Sequence, residues 1–209
     1  MIRNGQLSER IMRPKKVVHI GHSFGSLITN GLVAARPSLS DGIVLTGFSH
    51  NVSWTPLFEL CLGFELARTN NPARFRHYST GYLTWGNEYD NQCAFYTYPF
   101  FNAAILKEAE ARKAPFAIAE LLSFASIPLL APNFTGPVLM ISGQSDLPFC
   151  GGECLGALDG SSSPSPFIFP EANPLTTYVQ PNAGHALNLH HNSSAAYEVM
   201  FRFIQEHVN

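Results

Sequence analysis

Apolar runs and helical spacing alternate in the amino-terminal part of the chain. Residues 17–20 are apolar and β-branched apart from one histidine, which is typical of a buried strand. Apolar side chains then recur at helical spacing from Phe24 to Val33, which predicts a helix that ends before Pro37. A second buried strand is predicted at residues 42–47. A strand, a helix and a strand in this order indicate parallel pairing with a right-handed crossover, so the predicted class is α/β.

The middle of the chain, residues 51–130, has no apolar run of similar quality and is crowded with aromatic residues. Helical spacing recurs over residues 54–68 and 101–112, and the second stretch places its charged side chains on one face. We therefore expect an insertion that is built of short helices.

The carboxy-terminal third returns to the first pattern. Buried strands are predicted at residues 137–142 and 176–179, and an amphipathic helix at residues 195–204. The whole chain, residues 1–209, is expected to form one α/β domain. That domain would have a mostly parallel sheet with flanking helices, and the helical insertion would follow its second strand.

Composition narrows the functional classes. The 209 residues are 45% hydrophobic and 13% charged with a formal net charge of -2, which is far from the composition of disordered chains. No run of like charge offers a surface for nucleic acid or an anionic membrane. No uncharged apolar stretch reaches about 18 residues, so no transmembrane segment is predicted. No specific protein partner is indicated.

The amino terminus and the glycosylation sequons bear on the compartment. Residues 1–16 are basic and polar and lack the apolar core of a secretory signal, so no signal peptide is predicted in this chain. Three sequons for N-glycosylation begin at Asn51, Asn133 and Asn192. Such triplets also arise by chance, so the compartment stays open.

The turn after the first strand carries the strongest motif, Gly21-His22-Ser23-Phe24-Gly25, which matches Gly-x-Ser-x-Gly. A sharp turn between strand and helix lifts the serine hydroxyl clear of the sheet, and the flanking glycines let neighbouring backbone pass closely. The start of the helix would aim its dipole and the Phe24 N–H at an oxyanion. The alternative is a glycine-bounded turn without a catalytic role.

A serine nucleophile needs a base, and the base needs an orienting acid. Asp146 follows the strand predicted at residues 137–142, and His185 follows the strand predicted at residues 176–179. Because the carboxyl ends of parallel strands share one sheet edge, Ser23, Asp146 and His185 are expected to converge there. The alternative is that the aspartate and the histidine are ordinary loop residues.

Three segments carry a resemblance to a known family: residues 21–26, 149–154 and 184–190. With them the chain resembles the α/β-hydrolase superfamily, and within it secreted fungal hydrolases, over essentially its whole length. The resemblance implies a partial α/β-hydrolase fold and a serine esterase without a cofactor. Ser23 would be the nucleophile, Asp146 the acid and His185 the base, and an ester carbonyl would be attacked through an acyl-enzyme. A lyase or an acyltransferase would use the same triad.

The chain departs from this family at its start. A full member has about four strands before the nucleophile strand and a loop that donates the second oxyanion N–H. Here sixteen residues precede the first predicted strand, so we expect a truncated sheet with an unpaired edge. The alternative is therefore a truncated, weak or inactive hydrolase-like protein that acts only in binding or has no function. Full-length relatives would be secreted, which would explain the sequons and the cysteines.

The aromatic insertion, residues 51–130, lies where the superfamily places its cap. It predicts a pocket for a small apolar ester, although each ring could instead belong to the core of the cap. The candidate substrate contacts are His22, His50, Trp54, Phe58, Trp85 and Tyr96.

Cysteines and the remaining histidines allow further hypotheses. The four cysteines fit reduced thiols or one or two disulfides, and Cys150 and Cys154 are expected to bond and to shape the loop after Asp146. His190 and His191 lack acidic or cysteine partners at ligand spacing, so no metal is assigned.

Overall fold

The computed structural model describes residues 3, 5–6, 13–161 and 163–208. Its main sheet has four parallel strands. In the order in which they pair, the strands are β1 (Val18–His22), β2 (Gly42–Thr46), β6 (Val138–Gly143) and β7 (Leu175–Gln180). The predicted α/β class with a mostly parallel sheet is confirmed, and each predicted strand lies within two residues of its observed bounds.

The helices surround this sheet and fill the insertion. They are α1 (Phe24–Ala35), α2 (Thr55–Leu62), α3 (Ala67–Asn70), α4 (Pro72–Phe75), α5 (Glu88–Phe95), α6 (Ala103–Arg112), α7 (Ile118–Ser123), α8 (Leu147–Cys150), α9 (Ser165–Ile168) and α10 (Ser193–His207). Short 3₁₀ turns lie at Pro37–Leu39, Phe124–Ser126 and Leu187–Leu189.

Alternate residues of the central strands face two separate cores. Ile43 and Leu45 of β2 pack with Leu27 and Val33 of α1 on one face of the sheet. Val44 packs on the other face, in the core that α10 covers. Burial on both faces explains why β2 is a continuous apolar run without alternation.

The insertion differs from its prediction. Between its helices the structure places a three-stranded antiparallel sheet in the order β3-β4-β5. Its strands are β3 (Glu65–Leu66), β4 (Tyr82–Thr84) and β5 (Phe116–Ala117). The expectation of short helices alone was therefore wrong, and the helix predicted over residues 54–68 is broken at Gly63, where φ is 50°.

The edges and the amino terminus of the chain complete the description. Among the described residues, β1 pairs with β2 alone, and Ile20 on β1 is 57% exposed. No helix within the described part of the chain is both long and apolar enough to cross a membrane. The signal-peptide prediction concerns residues 1–16, most of which lie outside the described residues.

Candidate active site

Ser23 stands on the turn between β1 and α1 with φ 54° and ψ −118°. A positive φ is costly for a residue with a side chain, and such strain clusters at functional sites. The turn is held on β2, because the Ser23 N–H and the Ser26 hydroxyl both donate to the carbonyl of Thr46, each at 2.9 Å. The sheet therefore fixes the direction in which the Ser23 hydroxyl points.

Three side chains from three strand ends form one hydrogen-bonded row. The Ser23 hydroxyl donates to Nε2 of His185 at 2.8 Å. Nδ1–H of His185 donates to Oδ2 of Asp146 at 2.7 Å. Asp146 also accepts the N–H of Phe149 through Oδ1, so both carboxylate oxygens are used. Since Asp146 and His185 are buried, this row is shielded from water everywhere except at the serine.

Aromatic rings enclose the imidazole of His185. The ring of Phe95 stacks on it at 5.8 Å between centroids and 25° between planes. Phe58 and Phe149 each lie 5.7 Å away, and His22 lies 5.0 Å away. These contacts restrict rotation of the imidazole and leave its Nε2 directed at Ser23.

A cavity of about 680 Å³ opens beside Ser23. Its wall is almost entirely apolar and comes from α1, α2, the small sheet and α7, with Glu59 and Glu120 as its acidic members. The aromatic part of the wall consists of Phe24, Phe48, Phe58, Phe64, Trp85, Phe95, Phe116, Phe124 and Phe149. This volume is within the range of cavities that bind small organic ligands.

Two of the predicted substrate contacts, Phe58 and Trp85, line this cavity. The other four lie elsewhere. Trp54 packs over Gly151, where a Cβ would lie 2.4 Å from the indole ring. Tyr96 packs against Phe101 at 4.9 Å between ring centroids. Both rings therefore serve the packing of the insertion and its neighbours.

The two histidines among these four also have other partners. His22 donates through Nδ1–H to the hydroxyl of Thr46, which donates to the carbonyl of Gly21. His50 is held between Asn30 and Ser165. Neither lines the cavity, so contact of His22 and His50 with substrate stays a prediction.

Sequence reasoning did not single out several wall residues. Phe95 precedes Tyr96 at the end of α5, and one ring lines the cavity while the other does not. Phe149 follows Asp146 by three residues and stands inside the segment that carried the family resemblance. The spacing of Phe149 from the acid was the available signal for its position.

The Phe24 N–H is the first free donor of α1, a helix whose positive dipole end lies at Ser23. Among the described residues, no acceptor pairs with this N–H. It is therefore available to a ligand at Ser23, and its role as an oxyanion donor stays a prediction.

Two disulfides are present in the structure. Cys150 is bonded to Cys154 in the loop after Asp146. Cys61 of α2 is bonded to Cys93 of α5, and the sequence had left this pairing open. The second bond joins the two helices that carry Phe58 and Phe95.

The three sequon asparagines differ in their surroundings. Asn133 is exposed. Asn51 accepts the N–H of Ser53 through Oδ1. Asn192 donates through Nδ2, the atom to which a glycan would be attached, to the carbonyl of Pro181 at 2.6 Å. Glycosylation at these positions stays a prediction.

Within residues 13–161 and 163–208, no three side chains of histidine, cysteine, aspartate or glutamate form a cluster that could hold a metal ion. The buried histidines are engaged with protein groups instead, as described for His185 and below for His190.

No protein-family model and no curated protein match the sequence. Solved structures do match. A metagenome-derived lipolytic enzyme aligns at 15% identity and a TM-score of 0.56, over 93% of this chain and 67% of that chain. A monoacylglycerol lipase from Paleococcus ferrophilus aligns at 14% identity and 0.53, over 90% and 68%. The esterase domain of a Rhodothermus marinus protein aligns at 14% identity and 0.52, over 100% and 67%.

The chain thus spans about two thirds of the length of each of these structures. At such identities the similarity concerns architecture, and it agrees with the parallel strand order and with the helices on both faces of the sheet. The described residues therefore have a partial α/β-hydrolase fold.

Proposed function

We propose that the protein is a serine hydrolase that cleaves a carboxylic ester, or a related acyl compound, with a bulky apolar group. The observation that carries the proposal is the 2.8 Å hydrogen bond from the Ser23 hydroxyl to Nε2 of His185, on the wall of the apolar cavity. The buried carboxylate of Asp146 keeps the proton of His185 on Nδ1, so Nε2 is free to act as a base.

In the acylation step, the Ser23 oxygen attacks the carbonyl carbon and its proton passes to Nε2 of His185. The carbonyl oxygen becomes an oxyanion, which the Phe24 N–H would stabilise. When the intermediate collapses, the carbon–oxygen bond to the alcohol breaks and His185 returns the proton to that oxygen. Asp146 stabilises the imidazolium between these two transfers.

In the deacylation step, water attacks the acyl carbon and gives its proton to Nε2 of His185. Collapse breaks the bond to Ser23, whose oxygen takes the proton back, and the carboxylic acid leaves. The rings around His185 and the apolar cavity wall would hold the acyl or alcohol part by burial of apolar surface.

One oxyanion donor, Phe24, is assigned, whereas the resemblance implies two. The loss of one donor lowers the rate by about 10²- to 10³-fold, so slow turnover is compatible with an intact triad. The alternative, a hydrolase-like chain that only binds ligand, would have the same fold without a reactive serine.

The test is covalent labelling with a fluorophosphonate, followed by intact mass and peptide mapping. We expect a single adduct on Ser23 that is lost in Ser23→Ala and in His185→Ala. Ser38→Ala, an exposed serine, is the matched control and should label as the wild type does. Folded wild-type protein that takes up no adduct would support the binding-only alternative.

Product analysis separates the reaction classes that share the triad. Unlabelled protein that is able to react with the fluorophosphonate should release the free carboxylic acid when it is incubated with an aryl ester in water. Preferential transfer of the acyl group to an added alcohol would identify an acyltransferase instead.

A further inference from the structure

His190 lies in the turn between the 3₁₀ segment after His185 and helix α10, and its imidazole is buried. Nδ1–H of His190 donates to the carbonyl of Ala186 at 2.9 Å. Nε2 accepts two backbone donors, the N–H of Gly184 at 3.1 Å and the N–H of Thr97 at 3.0 Å. Both ring nitrogens are thus used by backbone groups of two separate segments.

Two of these three backbone groups flank His185 directly. Gly184 precedes it and Ala186 follows it, so the imidazole of His190 is hydrogen-bonded to the backbone on both sides of His185. The N–H of Ala186 in turn donates to the carbonyl of Phe95 at 2.9 Å. The ring of Phe95 stacks on the imidazole of His185.

The third group, the Thr97 N–H, belongs to the insertion, two residues beyond the end of α5. His190 therefore connects the loop that carries His185 to the end of α5, whose Phe95 stacks on the imidazole of His185. A second tie nearby is the isolated antiparallel bridge between Phe101 and His190.

The hydrogen bonds define one protonation state for His190. An Nε2 that accepts two N–H groups carries no proton, and an Nδ1 that faces a carbonyl carries one. Burial lowers the pKa of His190, which favours this neutral form. Both ring nitrogens are occupied, so His190 is not a candidate metal ligand.

We infer that His190 is a positioning residue for the proposed reaction: its neutral imidazole joins Gly184 and Ala186 to Thr97 and thereby holds Nε2 of His185 at Ser23. The inference rests on the proposed function, because it assigns His185 as the base. Without His190, buried groups on both sides of the base would lack partners and the loop would shift to find others. A displacement of about 1 Å at a catalytic group lowers a rate by about 100-fold.

Two variants and one control isolate this role. His190→Leu keeps a side chain of similar size without a donor or an acceptor. His190→Gln restores the pattern, since its amide oxygen can accept both N–H groups while its NH₂ group donates to the Ala186 carbonyl. His191→Ala removes the neighbouring histidine, whose side chain is exposed.

The first readout is the rate of fluorophosphonate labelling at Ser23, together with kcat and KM for an aryl ester. In His190→Leu we expect the rate of labelling and kcat to fall by about 10- to 100-fold while KM changes little. The reason is that the orientation of His185 is lost, whereas the substrate-binding cavity is unchanged. His190→Gln should recover most of the rate, and His191→Ala should match the wild type. A folded His190→Leu that labels at the wild-type rate would overturn the inference.

The second readout needs neither activity nor a folded variant. Nitrogen NMR of uniformly labelled wild-type protein should show His190 protonated at Nδ1 alone, and the amide protons of Gly184 and Thr97 should exchange slowly. The opposite tautomer or fast exchange at both amides would overturn the inference. Failure of the proposed function has a different signature, since the wild type would then show this NMR pattern without taking up the label.

Discussion

The carboxylate of Glu110 accepts a hydrogen bond from the indole N–H of Trp85 at 2.8 Å. The same carboxylate pairs with the buried ammonium group of Lys113 at 2.6 Å, and that ammonium donates to the backbone carbonyl of Trp85 at 2.7 Å. One ion pair on and next to α6 thus holds both the ring and the backbone of a residue in the cavity wall.

Glu110→Ala should loosen this wall and destabilise the fold. Removal of one partner leaves the charge of Lys113 buried and unpaired, which costs about 3 kcal/mol. Loss of the indole hydrogen bond should raise KM for a bulky aryl ester by about 5-fold, equivalent to about 1 kcal/mol. Urea unfolding and steady-state kinetics measure the two effects.

The matched control for Glu110 is Glu108→Ala on the same helix. Glu108 is exposed and pairs with Arg112, so its removal should change stability by less than about 0.5 kcal/mol. If Glu110→Ala and Glu108→Ala were equally stable and had equal KM values, the ion pair would not support the cavity wall.

The two glycines of the elbow should respond very differently to alanine. A Cβ at Gly21 would lie 2.3 Å from the carbonyl oxygen of Gly25 and 2.5 Å from the N–H nitrogen of Ser26, and neither backbone atom can move alone. A Cβ at Gly25 would meet nothing within 4 Å. Gly21→Ala should therefore cost more than about 3 kcal/mol, whereas Gly25→Ala, inside α1, should be neutral or stabilising by up to about 1 kcal/mol.

Chemical unfolding of both alanine variants checks this contrast. Similar stabilities for Gly21→Ala and Gly25→Ala would show that the turn relaxes around a new Cβ. The close approach of Gly21 to the backbone of Gly25 and Ser26 would then not be the reason for a glycine at position 21.

The core of the fold could be predicted because its signals are local. The apolar runs at β1, β2, β6 and β7 are long enough to identify strands, and the strand-helix order indicates parallel pairing. Parallel strands gather their carboxyl ends at one edge, which is why residues as far apart as Ser23 and His185 could be expected to meet.

The insertion could not be predicted in the same way. Strands β3 and β5 are two residues long, which is too short for any alternation to show. Which rings reach the cavity depends on how the short helices pack. Of two neighbouring residues, Phe95 lines the cavity, whereas Tyr96 packs against Phe101. The Cys61–Cys93 bond likewise follows from the packing of α2 on α5, which spacing alone does not reveal.

His50 should make the fold sensitive to acid. Its Nε2–H donates to Oδ1 of Asn30 and its Nδ1 accepts the hydroxyl of Ser165, an arrangement that suits neutral imidazole. Burial lowers the pKa of His50 from 6.5 to about 4. Between these two pH values His50 is protonated in the unfolded chain and neutral in the folded chain. The contribution of neutral His50 to stability is therefore fully present above pH 6.5 and is lost as the pH falls towards 4.

The loss from this one group amounts to at most about 3 kcal/mol. Urea unfolding at pH 7 and near pH 4 should therefore show a smaller difference for His50→Gln than for the wild type. His77→Gln, an exposed histidine of the insertion, is the control and should keep the wild-type difference. If His50→Gln showed the same stability difference between the two pH values as the wild type, His50 would not be the group that makes the fold sensitive to acid.

The two disulfides should contribute unequally to stability because they close loops of different length. Cys61 and Cys93 are 32 residues apart, and Cys150 and Cys154 are 4 residues apart. A cross-link over a longer loop restricts the unfolded chain more, which corresponds to about 4 kcal/mol for the first bond and about 2 kcal/mol for the second. Urea unfolding of the two double serine variants under non-reducing conditions measures the order.

The same two double variants should rank differently in fluorophosphonate labelling. The Cys150–Cys154 ring begins four residues after Asp146, and the N–H of Cys154 donates to the carbonyl of Gln144 at 2.7 Å. Its removal frees the loop that carries the acid, so labelling of Ser23 should slow although stability changes less. Loss of the Cys61–Cys93 bond should lower stability more. If loss of the Cys61–Cys93 bond lowered stability more and also slowed labelling more, the short ring would have no separate role in orienting Asp146.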